Sequence, residues 1–444
     1  MSSPPALRLH LAALAALLWL IAFALSAWAA FAKLAVLWVL LPLALAFVAY
    51  VLLLACKPWN ALSSLYLFAG VASLNLLAAA LLIPVPPALS DDVYRYLWDA
   101  RLLFRDLNPY AHAPDAPALM PLRDSLWALI NHKHVPTIYP PLAQLFFAVA
   151  ELLGHASWSV KLLAWLGHLA TLALLFVIGR NWPTMHRRRV CLVYGLNPLA
   201  LSETALNGHF DAWIGFFVLL CAWCMHRRRF WSAALAALGA SGLKLIGVLL
   251  VVVWPRRYWR QGLALIGLSL LFALLPLSSG DAAWTHSGVG HYAREWQGNA
   301  SIFALVYALF EALSTASPTT LSLLARATVG CLWIGVALVL RRQPRMHVLT
   351  KLRFLLLALL LCSPQVHPWY LLWLLAIEAC TGCWAVVCWS GLVLFTYLPL
   401  DHWQETQVWI ESTAYTIAQY AVVFAVLIYE MCFRKLRLFE YKIK

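Results

Sequence analysis

Apolar runs of membrane-spanning length recur along this 444-residue chain, and no other feature restricts its fold as much. A hydrocarbon core about 30 Å thick needs roughly twenty helical residues. Residues 11–32, 34–55, 62–83, 158–179, 320–340 and 413–433 each supply such a run. Hydrophobic residues make up 64% of the chain and the mean hydropathy is +0.79, as in a polytopic membrane protein. The polar/apolar alternation of a transmembrane β-barrel is absent. The expected fold is therefore all-α, with about twelve to fourteen membrane segments in one integral domain over residues 1–444.

The net charge of +14 could suggest a nucleic-acid partner, but its placement points to the bilayer instead. Basic clusters fall at Arg187-Arg188-Arg189, Arg227-Arg228-Arg229, Arg256-Arg257-Arg260, Arg341-Arg342-Arg345 and Arg434-Lys435-Arg437, each beside a membrane end. Positive residues flank the cytoplasmic ends of spans, so no nucleic acid is expected as a partner. Both termini then face the cytoplasm, and residues 84–140, 278–300, 364–368 and 401–412 form outer loops. The first segment carries one preceding basic residue, Arg8, and no small-residue cleavage site, so it reads as a span rather than a signal peptide.

Two segments break the simple count. Residues 141–154 are too short to cross and should lie in the interface, as should 301–313. The stretch 231–255 begins and ends at arginines and carries Gly239, Ser241, Gly242 and Lys244 at its centre. It predicts a short helical hairpin with Lys244 deep in the membrane. A lone lysine there costs about 2.5–3.5 kcal/mol, so its amine needs a cavity or an anionic partner. The ten cysteines spare the two large outer loops, and Cys221-x-x-Cys224 and Cys380-x-x-Cys383 fall in apolar helices, which favours packing over disulfides or zinc.

Against this oily background, Ser90-Asp91-Asp92-Val93-Tyr94-Arg95-Tyr96-Leu97-Trp98-Asp99 stands out: three carboxylates in ten residues, in a chain only 11% charged. Ser90 suits a helix N-cap, with Asp91 and Asp92 in the first turn. On such a helix Asp91, Arg95 and Trp98 share one face, while Val93, Leu97, Ala100 and Phe104 form the apolar one. Capping alone leaves the outer-face position of these acids unexplained. Further polar islands reach the same side: Tyr139-Pro140-Pro141, Asn207-Gly208-His209-Phe210-Asp211, His291–Asn299 with Arg294, and Ser363–Tyr370 with His367. The Asn299-Ala300-Ser301 sequon directly precedes an apolar helix, a placement that argues against its modification.

The acidic stretch, with Asn108-Pro109-Tyr110, resembles the first outer loop of GT-C fold glycosyltransferases, especially bacterial mannosyltransferase-like proteins that draw sugar from a polyprenyl phosphate. Tyr139-Pro140-Pro141-Leu142, Asn197-Pro198-Leu199, Gly208-His209-x-Asp211, Lys244-Leu245, Asn299-x-Ser301-x-Phe303 and His367-Pro368-Trp369-Tyr370 are similar in order, over roughly residues 84–375. The resemblance implies an inverting hexosyl transfer, with a polyprenyl-phosphate sugar as donor and a lipid or glycan hydroxyl as acceptor. It implies a site facing outward from a bacterial inner membrane, built on the loop regions 84–140 and 278–313. It puts the general base on Asp91 or Asp92. Asp91 is preferred, because a tryptophan seven residues on recurs in relatives, and an ordinary carboxyl near pKa 3.9 would be ionised and ready. Arg95, Trp98, Tyr139, His209, Asp211, Lys244, Arg294, Asn299, His367 and Tyr370 become candidate substrate contacts. Of these Lys244, Arg294, Arg95 and His367 are the candidate positive charges at the leaving phosphate. In contrast to the family pattern, the acids here are adjacent rather than spaced Asp-x-Asp, and no metal or cofactor is expected. The rival from another class is a lipid-phosphate transporter or flippase, for which the lack of an internal repeat is unfavourable.

Overall fold

The computed structural model describes residues 5–57, 62–274, 287–406 and 408–433. The Arg434-Lys435-Arg437 cluster and residues 278–286 of the expected second outer loop lie outside them. Twenty α-helices follow in order: α1 (Pro5–Phe31), α2 (Val36–Cys56), α3 (Ser64–Leu82), α4 (Asp92–Leu103), α5 (Ser125–Ala128), α6 (Pro141–Gly154), α7 (Ser157–Ile178), α8 (Thr184–Gly195), α9 (Pro198–Leu201) and α10 (Asp211–His226). Then come α11 (Phe230–Leu243), α12 (Trp259–Leu274), α13 (Gly288–Glu295), α14 (Ile302–Leu313), α15 (Pro318–Arg341), α16 (Val348–Cys362), α17 (Leu372–Thr381), α18 (Ala385–Leu392), α19 (Leu400–Thr406) and α20 (Thr413–Cys432). Among the described residues the only β-type pairing is an isolated parallel bridge between Gly298 and Gln365.

The fold is an all-α polytopic membrane protein. Seven helices among the described residues are long and apolar enough to cross alone: Ala6–Phe31, Val36–Cys56, Ser64–Leu82, Ser157–Asn181, Pro318–Arg341, Ala385–Thr406 and Thr413–Cys432. The six runs read from the sequence are all among them. The larger expected number of segments includes short or broken elements such as Asp211–His226 and Pro368–Thr381. Helix starts follow local chemistry: the Ser63, Ser317 and Ser412 side chains accept from the first turns of α3, α15 and α20, and prolines open α6 and α15.

The buried core runs through α1, α2, α7, α8, α10 and α17. Two donors tie its layers: Trp19 Nε1 donates to the Leu196 carbonyl, and the Tyr50 hydroxyl to that of Val193. Close approach of α10 and α17 depends on Gly215, where a Cβ would sit 2.6 Å from the Leu372 carbonyl oxygen. The expected hairpin is present: α11 and the 3₁₀ segment Leu245–Val253 meet at Lys244. The outer loop carries a small core of its own, in which Trp98, Leu102, Leu119 and Ile130 pack together and fix the loop on α4.

Candidate active site

The acidic end of α4 forms one wall of a cavity of about 460 Å³, with Lys244, His367 and Tyr370 also in its lining. Helix α4 starts one residue later than the sequence suggests. Asp91, not Ser90, is the N-cap residue, and its side chain makes no capping bond. Asp91 is thereby free to turn toward Asn131, whose amide donates to its Oδ1 and also reaches Asp92 Oδ1 at 3.3 Å. One side-chain amide thus bridges both carboxyls.

The two acids differ because their surroundings differ. Burial, and then the charge of Asp92, push Asp91 up to about 7 against the help of Asn131 and Lys133. This corrects the expectation of an ordinary carboxyl near 3.9: Asp91 titrates close to neutrality. Burial would raise Asp92 as well, but the neighbouring His209 outweighs it and holds that carboxyl well below the usual range. His209 Nε2 lies 3.7 Å from Asp92 Oδ2, an ion-pair distance too long for a hydrogen bond. On its other side, Nδ1 meets Glu203 Oε2 at 2.9 Å, with both side chains fully buried. Burial disfavours the imidazolium, yet the flanking Asp92 and Glu203 raise His209 to about 9.

Glu203 sits in a π-helical turn, Ser202–Leu206, a local widening of the helix in which Asn207 N–H donates to the Ser202 carbonyl. Gly208 follows with φ +80, and the chain then re-enters helix at Asp211. The Tyr397 hydroxyl donates to Glu203 at 3.0 Å. Trp369 stacks between the His209 and His367 rings, with centroids 3.7 and 4.3 Å away.

At the opposite wall Lys244 meets Asp211 at 2.7 Å, and Trp373 Nε1 donates to the same Asp211 oxygen at 2.7 Å. The lysine is therefore not alone, as the sequence suggested. It keeps 19% side-chain exposure, while Asp211 has none. The amine also lies over the ring of Tyr370, 4.8 Å from its centroid.

The model of glycosyltransferase family 87 matches residues 137–364, just over half of the chain. The chain belongs to glycosyltransferase family 87. No curated protein and no solved structure matches it. This family 87 protein is thus a membrane glycosyltransferase of the GT-C type, an assignment that displaces the transporter reading. The match takes in Tyr139, His209, Asp211, Lys244 and Asn299, but leaves the acidic end of α4 and His367 outside.

The residues singled out from the sequence of this glycosyltransferase divide into three groups. Asp91, Asp92, Arg95, Tyr139, Lys244, Asn299, His367 and Tyr370 line one cavity. His209 and Asp211 lie behind the lining, fully buried, each holding a lining charge. Trp98 and Arg294 are placed elsewhere. Trp98 is buried in the small outer-loop core against Leu119 and Ile130 and is absent from the cavity lining. Arg294 is absent from the cavity lining, and its guanidinium lies 4.0 Å from Glu295.

The expected positive charges also change. His367 is pushed down to about 3 by burial, with Lys244, His209 and His132 opposing a further proton and only Asp92 favouring it. At neutral pH it is an uncharged hydrogen-bonding ring, not a cation. Arg95 gives Nε to Asp99 at 2.8 Å, while its buried Nη2 has no partner among the described residues. Asn299 is 2% exposed and held on four sides: its amide donates to the Val366 carbonyl, Gln419 donates to its Oδ1, its backbone N–H reaches Glu411, and Tyr420 donates to its carbonyl. That burial accords with the sequence reading that the sequon is not modified.

Asn131, Glu203 and Tyr397 are not among the residues the sequence points to, and Trp369 enters there only as part of the His367–Tyr370 motif. Glu203 had a signal: it is the one acid inside the apolar run 190–206. Asn131 had less, beside His132, Lys133 and His134 in a polar loop.

Proposed function

We propose that this glycosyltransferase moves a hexose, mannose in the first instance, from a polyprenyl-phosphate sugar to a lipid or glycan hydroxyl. The site would face outward from a bacterial inner membrane. One observation carries the reading: a carboxyl that titrates near neutrality, bridged to its neighbour by Asn131, shares one cavity with a lysine backed by the buried Asp211.

The chemistry is a single displacement with inversion. The acceptor oxygen attacks the anomeric carbon, its proton passes to Asp91, and the bond from the anomeric carbon to the phosphate oxygen breaks. A base works best when its pKa lies near the working pH, which favours Asp91 over the permanently ionised Asp92. A phosphate leaving group is stable without a proton, so no general acid is required, unlike glycoside hydrolysis. Fixed positive charge is required where negative charge develops, and Lys244 with the unpartnered Nη2 of Arg95 suits that role.

The test is transfer by the purified protein from a polyprenyl-phosphate mannose, with nucleotide sugars as alternative donors. Asp91→Asn should lower transfer by about 10² or more at unchanged folding, and wild-type transfer should fall as pH drops below about 7, where Asp91 takes up its proton. Activity on nucleotide sugars alone would overturn the donor assignment. Full activity in Asp91→Asn, with loss in Asp92→Asn, would move the base by one residue.

A further inference from the structure

Behind the carboxyl pair lies a row of groups that touches no part of the cavity until its ends. Glu203 and His209 are both fully buried, yet they carry complementary charge and meet at 2.9 Å. One end of the row is Asp92, whose side chain keeps 21% exposure at the cavity wall. The other end is Tyr397, which donates to Glu203 and also lines the cavity. A buried ion pair of this kind is costly to assemble and often no more stabilising than an apolar replacement. A role in orientation would account for its presence.

We propose that Glu203 and His209 are positioning residues that fix Asp92 as a permanent anion and leave the exchangeable proton to Asp91. This rests on the reading of Asp91 as the base. The geometry supports it in three ways. Glu203 fixes His209 at Nδ1, so only Nε2 can face Asp92. Trp369 on one ring face prevents rotation away from that direction. Asn131 bridges the two carboxyls, so a change of charge on one is felt by the other. Other titratable groups facing the pair are His132, Lys133, His367, Tyr96 and Tyr139, with Lys244 acting on His367. Tyr96 also reaches Asp92 Oδ2, at 3.5 Å, but burial raises its hydroxyl well above the usual range, so it brings no charge to the pair.

Of the two acids beside His209, Glu203 is the closer and the better shielded from water. Glu203→Gln should therefore leave His209 neutral at pH 7, and Asp92 would lose its cation. The carboxyl pair would then hold a proton more tightly. The acid limb of the transfer pH profile should move up by about one unit, while Glu203→Asp restores it. A second readout does not depend on activity. In protein labelled with ¹⁵N-histidine, an imidazolium signal at about pH 7.5 should vanish in His209→Gln and turn into a neutral-ring signal in Glu203→Gln.

An acid limb that stays in place while the rate falls uniformly would reduce Glu203 to packing. Should Glu203→Gln fail to fold, Tyr397→Phe loosens the same carboxylate without deleting it and should shift the limb in the same direction by less. Absence of the imidazolium signal from the wild-type protein would overturn the proposal outright. That outcome is separable from failure of the base assignment, in which Asp91→Asn remains active while the imidazolium signal persists.

Discussion

Two charge clusters in this molecule both pair acids with bases and differ in access. Arg353 pairs with Glu378 at 2.7 Å and Glu430 at 2.9 Å, and none of the three side chains is more than 3% exposed. Backbone groups complete the knot: Trp384 N–H donates to Glu430 and Val386 N–H to Glu378. None of the three side chains keeps a buried polar atom without a partner, and the cluster joins α16, α17 and α20 away from the cavity. The pairs at the outer cavity also set a base against an acid, yet each has one buried member and one facing the cavity: Asp211 behind Lys244, and His209 behind Asp92. A charge that is held but not enclosed can still meet a substrate. Lys161 marks the closed extreme for a lysine: fully buried, it gives its amine to the Leu82 and Val85 carbonyls at 2.7 and 2.6 Å.

The contrast can be broken most strongly at the knot. Arg353→Met leaves two buried carboxylates unpaired and should cost about 3–5 kcal/mol of stability, with transfer per folded molecule unchanged. Thermal unfolding in detergent alongside a specific-activity measurement checks this. A variant that folds normally but transfers poorly would erase the distinction between the two clusters.

A somewhat smaller effect is expected at Lys244. Lys244→Met alone strands the buried Asp211 carboxylate and should destabilise the protein by a few kcal/mol. Adding Asp211→Asn removes that charge while Trp373 keeps a partner, so folding should recover. Donor affinity should stay about ten- to a hundredfold low in the double variant. Recovery of both stability and donor binding would place Lys244 with the closed cluster.

The smallest change is predicted for Lys161→Met, which deletes two hydrogen bonds to carbonyls and also a buried charge. These effects oppose one another, and a net cost of about 1–2 kcal/mol with unaltered transfer is expected. A loss of donor binding in this variant would show that burial alone does not separate pinned lysines from working ones.

Much of this architecture was legible in the chain. All six long apolar runs became helices, α6 occupies residues 141–154 as read, and the hairpin turns at Lys244. The cavity lining was partly legible too, since Asp91, Lys244, His367 and Tyr370 each stood in a polar island within an apolar background. Errors arose where a side chain's direction depended on a distant neighbour. Trp98 reads from the sequence as a substrate contact, but the outer-loop core buries it away from the cavity lining. His367 was counted as a cation, but its burial beside Trp369 and the nearby positive groups keep it neutral.

The sequence by itself determined that the chain is a bundle of membrane helices and which short segments carry polar groups. Those properties follow from local periodicity and from the cost of placing charge in hydrocarbon, and both are felt over one or two turns. Only the tertiary structure decided which charges are partners. Tyr397 and Glu203 are 194 positions apart, Trp373 and Asp211 are 162 apart, and both pairs meet because helices distant in sequence pack side by side. The proton affinity of a carboxyl depends on every charge and solvent boundary within a few ångströms, which no local pattern encodes. For that reason Asp91 and Asp92, adjacent in the chain, hold their protons so differently.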